Sequence, residues 1–133
     1  MPGKIFIDTN VVVCSLGQAS TKVHLAAPLF VGLPTIFTQV LSETAHVASK
    51  RLGLAVSEIR KLITSLEAMC RVEIISLVTI HKALDIRERY SFSWYDSLIV
   101  ATALESGCDT LYSEDMQNGQ EIEGRLRIVN PFV

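Results

Sequence analysis

Short apolar runs and longer apolar stripes alternate along the chain. Ile5-Phe6-Ile7 is a β-branched and aromatic run that predicts a buried strand ending at the polar Asp8-Thr9-Asn10. Val11 to Leu16 is apolar again, helix and strand being equally compatible with the pattern. A loop is expected over Gly17 to Thr21, then a partly helical stretch over Lys22 to Phe30 that Pro28 limits. Leu33 to Phe37 reads as a second strand. Thr38 is the expected N-cap of a helix over Gln39 to Leu52, with Val40, Leu41, Thr44 and Val47 on one stripe and Gly53 as its stop.

From Ser57, the residues Ile59, Leu62, Ile63, Leu66 and Met69 recur at helical spacing, and Val72 to Ile75 predicts a third strand. Thr79 to Tyr90 predicts a polar-faced helix with Ile80, Ala83, Leu84 and Ile86 inward. Ser93 is the expected N-cap of a helix over Trp94 to Ser106 that Gly107 ends. This segment is apolar almost all round, the signature of a buried helix. Thr110 to Tyr112 and Arg127 to Val129 supply a fourth and a fifth strand. The alternation predicts one α/β domain over residues 1–133, with a mostly parallel central sheet of about five strands and helices on both faces. Ligands of such sheets bind at the carboxyl ends of the strands, where the strand order reverses.

Composition narrows the class. The 133 residues are 49% hydrophobic, enough for one core without disulfides or structural metal. Cys14, Cys70 and Cys108 form no C-x-x-C pair and read as buried apolar thiols of a reducing cytoplasm. Met1-Pro2-Gly3-Lys4 lacks the parts of a signal peptide, and no apolar run reaches membrane-spanning length, so a cytoplasmic, non-membrane protein is expected. The 14 acids against 12 bases argue against a generic basic nucleic-acid binder. If four of the 14 acids hold a cation, the remaining 10 are outnumbered by the bases.

Four acids stand at strand ends or early in helices. Asp8 ends the first strand, Glu43 lies in the helix after the second, Asp96 is in the first turn of the apolar helix, and Asp115 follows the fourth strand. An acid on a buried helix is costly without a counter-charge. No Lys or Arg lies near Asp96 in sequence. It either caps its helix or faces a bound cation. A converging set of carboxylates repels itself unless a cation is present, and hard oxygen donors select Mg²⁺ or Mn²⁺. Glu114, beside Asp115, is the alternative ligand. Asp109 reads as a turn residue, and Asp85, Glu58, Glu67, Glu88 and Glu105 as solvated helix faces. His24, His46 and His81 form no paired spacing, no serine sits in a nucleophile elbow, and no phosphate-binding glycine loop occurs. Lys50-Arg51, Arg60-Lys61 and the Arg87/Arg89 pair are candidate phosphate contacts. Trp94 and Tyr95 are candidates for base stacking, against core or dimer-interface roles.

In order and spacing, Ile5 to Asn10, Glu43, Tyr95 to Ala103, Leu111 to Asp115 and the ending Asn130-Pro131-Phe132 resemble the PIN domain family, and within it the VapC-type toxins of toxin–antitoxin pairs. The resemblance runs over essentially the whole chain and is weakest over Gly17 to Thr64. It implies a Mg²⁺- or Mn²⁺-dependent endoribonuclease with Asp8, Glu43, Asp96 and Asp115 as metal-binding acids and Asn10 and Ser113 in support. It also implies an RNA substrate such as tRNA, a cognate antitoxin and a homodimer. The competing readings are a PIN ribonuclease of RNA processing and a non-catalytic PIN scaffold. A phosphatase of the haloacid dehalogenase type needs a second Asp where this chain has Asn10.

Overall fold

The computed structural model describes residues 3–17 and 20–133. Three central strands form where the apolar runs stand: β1 (Ile5–Ile7), β2 (Thr35–Phe37) and β4 (Thr110–Tyr112). With β3 (Arg71–Glu73), β5 (Glu121–Ile122) and β6 (Leu126–Val129), they make one sheet in the order β3-β2-β1-β4-β6-β5. Every pairing is parallel except β5 with β6. The sheet therefore has six strands rather than the expected five or so. The extra one, β5, is a two-residue edge strand turned back on β6, too short to leave a periodic signal.

The ambiguous run after Asp8 is a helix, α1 (Thr9–Cys14), because the Asp8 side chain caps it by accepting from the Thr9 N–H. The loop expected over Gly17 to Thr21 lies partly outside the described residues. Ser20 caps α2 (Thr21–Ala26), which passes into a 3-10 turn over Ala27–Phe30 with Pro28 in its first turn. In α3 (Thr38–Lys50) the cap residue is Phe37, without a side-chain bond, so Thr38 is already helical and not the N-cap. α4 (Val56–Met69) starts one residue before Ser57, with Glu58 reaching back to the Ala55 N–H at 3.0 Å. α5 (Leu77–Tyr90) is capped by Ser76, and α6 (Trp94–Glu105) by Ser93 as expected.

The inward face of α5 differs from the expected one. Thr79, Ala83 and Ile86 are buried, whereas Ile80 and Leu84 are exposed. The helix packs on α6 with Thr79, Ala83 and Ile86 inward, and the Thr79 hydroxyl lies 3.4 Å from the Glu105 carboxylate of α6. Helix α6 has Ser97 to Leu104 continuously buried, as an all-round apolar helix demands. Phe6 and Phe37, both fully buried, meet edge to face at 5.5 Å and join β1 to β2.

The strand order positions the site. From β1 the chain steps outward through β2 to β3, then returns across β1 to β4. With right-handed crossovers, this puts the helices of the two halves on opposite faces. It leaves a crevice at the carboxyl ends of β1 and β4, where the order reverses. Asp8 follows β1 there and Ser113 follows β4, with the Asp8 N–H bonded to the Tyr112 carbonyl at 3.0 Å.

Candidate active site

Asp8 lies at the floor of the crevice and is only 6% exposed. Three donors hold its carboxylate: the Thr9 N–H at 2.7 Å, the Ser113 hydroxyl at 2.8 Å and the Asn10 amide at 3.3 Å. The same amide donates to the Asp115 carboxylate at 3.1 Å, and the Asn10 carbonyl accepts from the Glu114 N–H at 3.1 Å. Asn10 thus ties the end of β1 to the segment after β4. Burial pushes the Asp8 carboxyl from 3.8 up to about 6. The Ser113 hydroxyl and the Thr9 N–H work against the rise, and the charges of Asp96 and Glu43 add to it.

Asp96 enters from the third position of α6, half-buried. Burial raises its pKa too, the Ser93 side chain opposing and the Asp115 charge adding. Glu43 comes from α3, exposed, with one oxygen 3.0 Å from the Gln39 amide four residues back. Asp8, Glu43, Asp96 and Asp115 all line one cavity of about 350 Å³. Among the described residues no Lys or Arg pairs with any of the four. No three His, Cys, Asp or Glu side chains there already stand close enough to share an ion. The four acids therefore share a pocket, each held by its own neighbours. Four carboxylates, two of them raised by burial and none paired with a Lys or Arg among the described residues, fit a hard divalent cation.

Glu114 also borders the cavity, but it is engaged elsewhere. Lys22 of α2 forms an ion pair with it while sitting 5.3 Å over the Phe132 ring, and the Cys14 thiol contacts its second oxygen at 3.9 Å. Cys14 therefore departs from the reading of the cysteines as buried, which holds for Cys70 and Cys108. His46 is exposed and does not line the cavity. Asp109 bonds the neighbouring Thr110 hydroxyl at 2.9 Å, a turn contact. Asp85, Glu58, Glu67, Glu88 and Glu105 are exposed.

Sequence reasoning treated two pairs as units that the fold divides. Trp94 is half-buried against the core, whereas its neighbour Tyr95 is 62% exposed and lines the cavity. Arg51 also lines the cavity, and its partner Lys50 does not. The available signal was the four-residue spacing of Glu43, Val47 and Arg51, which puts them on one face of α3.

The PIN domain family model matches residues 5–117. Among solved structures, the fold is similar to a toxin–antitoxin complex from Klebsiella pneumoniae, with a TM-score of 0.72, 19% identity, and 96% of this chain and 97% of that one covered. It is likewise similar to the DNA-bound VapBC of Salmonella typhimurium, at 0.71 and 18% identity with 96% and 97% covered. A Mycobacterium tuberculosis VapC toxin described as cleaving the sarcin–ricin loop matches at 0.66 and 18% identity, with 81% and 87% covered. No curated protein sequence matches the chain.

Proposed function

The chain belongs to the PIN domain family, and from that premise we propose that it is a metal-dependent endoribonuclease, the toxin of a VapBC-type toxin–antitoxin pair. The observation that carries the reading is the meeting of Asp8, Glu43, Asp96 and Asp115 in one cavity at the reversal point of the sheet, none of them paired with a Lys or Arg among the described residues. The solved toxin–antitoxin complexes of the same fold support the toxin assignment.

In this reading the four acids hold Mg²⁺ or Mn²⁺. A divalent ion held by these carboxylates would supply positive charge against the phosphate and would lower the pKa of a water so that its deprotonated form can serve as the nucleophile. The chain's own residues prepare the site. The Ser113 hydroxyl and the Thr9 N–H stabilise the charged form of Asp8 and fix its orientation. Asn10 holds Asp8 and Asp115 at a set separation, so the segment after β4 moves with α1. Burial of Asp8 excludes bulk water from one side of the reaction. Glu114, neutralised by Lys22, serves as a strut rather than a ligand. The expected partners are RNA, a cognate antitoxin and a second copy of the chain. Exposed apolar side chains on α4 and α5, among them Val56, Leu77, Val78 and Leu84, are compatible with protein partners there.

The test is incubation of the purified protein with total RNA and defined tRNAs in Mg²⁺ or Mn²⁺, beside EDTA and Asp8→Asn controls. Discrete cleavage lost in both controls is expected. Cleavage that survives Asp8→Asn would remove the assignment of the acids. Absence of both cleavage and Mn²⁺ binding would leave a non-catalytic scaffold.

A further inference from the structure

The acids account for one part of the pocket. Its remaining lining includes two residues suited to a nucleic acid rather than to a cation. Tyr95 begins the wall opposite α3. It is 62% exposed, makes no side-chain hydrogen bond among the described residues, and lines both the acidic cavity and an adjoining recess bordered by Gln39 and Ser42. An aromatic ring left in solvent at the junction of two recesses forgoes the burial that favours large apolar side chains. Its neighbour Trp94 makes that burial in the core.

Arg51 is the one Lys or Arg among the described residues lining the acidic cavity. Its guanidinium makes no ion pair or hydrogen bond with the described residues, although Glu43 and Asp96 line the same cavity. Gln39, Glu43, Val47 and Arg51 stand at four-residue intervals along α3, so the stripe covers about 18 Å of groove wall at about 1.5 Å per residue. Glu43 lies on it, and Arg51, one residue past the end of α3 and without an ion-pair partner among the described residues, stands at its far end.

We propose that Tyr95 and Arg51 form a nucleotide clamp beside the bond that is cut, Tyr95 stacking on an unpaired base and Arg51 pairing with a backbone phosphate. The inference rests on the ribonuclease reading and adds the residues that position the substrate. Stacking suits Tyr95 because every base offers a π-face and the ring is exposed, with no aromatic partner among the described residues. Pairing suits Arg51 because a planar guanidinium grips phosphate through two parallel bonds. A strand so held crosses the groove with its phosphate over the acids. A base that stacks on Tyr95 has to leave its own stack, so the clamp discriminates against nucleotides locked in a duplex.

The experiment measures binding of a short fluorescent single-stranded RNA by anisotropy, in Mg²⁺ and over a series of salt concentrations. The full chain carries Asp8→Asn to suppress cleavage. On that background Tyr95→Ala and Tyr95→Leu are expected to weaken binding about 5- to 100-fold and Tyr95→Phe to leave it nearly unchanged. Arg51→Ala is expected to weaken binding and to flatten the slope of log affinity against log salt by about 0.7, the share of one phosphate on a single strand. Thermal melting of each variant checks the fold, and both side chains are exposed enough to be replaced without unfolding it. RNA bound equally by the parent and by the Tyr95 and Arg51 variants would overturn the clamp while leaving the nuclease reading standing. Equal loss in Tyr95→Phe and Tyr95→Ala would overturn stacking in favour of the hydroxyl. No RNA binding by the parent would overturn the clamp together with the reading it rests on.

Discussion

The floor and the rim of the pocket use the same chemistry under opposite conditions. At the floor, Asp8 is buried and fixed by three donors from its own segment and from Ser113. At the rim, Glu43 and Asp115 are exposed, and each receives one side-chain hydrogen bond. Burial raises the Asp8 carboxyl to about 6. A buried carboxylate without a cation is a strained element that a divalent ion relieves, whereas exposed carboxylates can adjust to whatever arrives. In the proposed reading the floor would set where the ion sits, and the rim, with Tyr95 and Arg51, how the substrate lies over it.

The largest effect that separates the two is on cleavage. Asp8→Asn removes the charge at the floor, and with several kcal/mol of metal-dependent stabilisation at stake the rate is expected to fall by about three orders of magnitude. Single-turnover cleavage of a defined RNA measures it.

Next is the pH dependence of stability. Unfolded, Asp8 titrates near 3.8; in the metal-free fold it titrates near 6. Between those values the folded chain keeps a proton that the unfolded chain has lost. Stability therefore falls as pH rises through this window, by about 3 kcal/mol in all, and the penalty is absent below it. Asp8→Asn has no such window. Urea unfolding in EDTA should show the variant gaining on the wild type as pH rises from about 4 to about 7. Mg²⁺, which binds the ionised acid, should narrow the gap at the upper end alone. A difference that stays flat across the window would mean that Asp8 titrates normally.

Ser113→Ala probes the support of the floor. The lost hydroxyl lets the Asp8 pKa rise further, and metal affinity and cleavage are expected to fall about 10- to 100-fold. Manganese titration and cleavage rates check this, and Ser113→Thr should restore both.

The smallest effect is expected at Glu114→Gln. That change breaks a partly exposed ion pair worth less than about 1 kcal/mol, so cleavage should stay within about fivefold of wild type. Asp115→Asn should cost much more. The reverse order of the two would exchange their roles.

How much was legible beforehand follows the range of the interactions involved. Strands β1, β2 and β4, the buried helix α6 with its Ser93 cap, and the order of the acids along the chain were readable, because each rests on a run of neighbouring residues or on the family's spacing. Thr38 was misread as a cap because Thr suits both a cap and a first helical position, and the φ/ψ that decides is set at Phe37 by packing of β2. Ile80 and Leu84 were assigned inward on hydrophobicity. The packing of α5 on α6 instead leaves Thr79, Ala83 and Ile86 inward, with the Thr79 hydroxyl toward Glu105 of α6. Edge strand β5 is held by pairing with β6, information that two residues do not carry.

By itself, then, the sequence determined the three central strands, the longer helices and which carboxylates are available, since those depend on side-chain type and period, but not α1, β5 or the inward face of α5. Only the tertiary structure decided that Asp8 lies on the floor and Asp115 on the rim, that Glu114 pairs with Lys22, and that Tyr95 and Arg51 line the cavity while Trp94 and Lys50 do not. Those outcomes depend on the reversal of strand order between β1 and β4. That reversal brings residues more than a hundred positions apart within hydrogen-bond distance, where burial and charge act on them together.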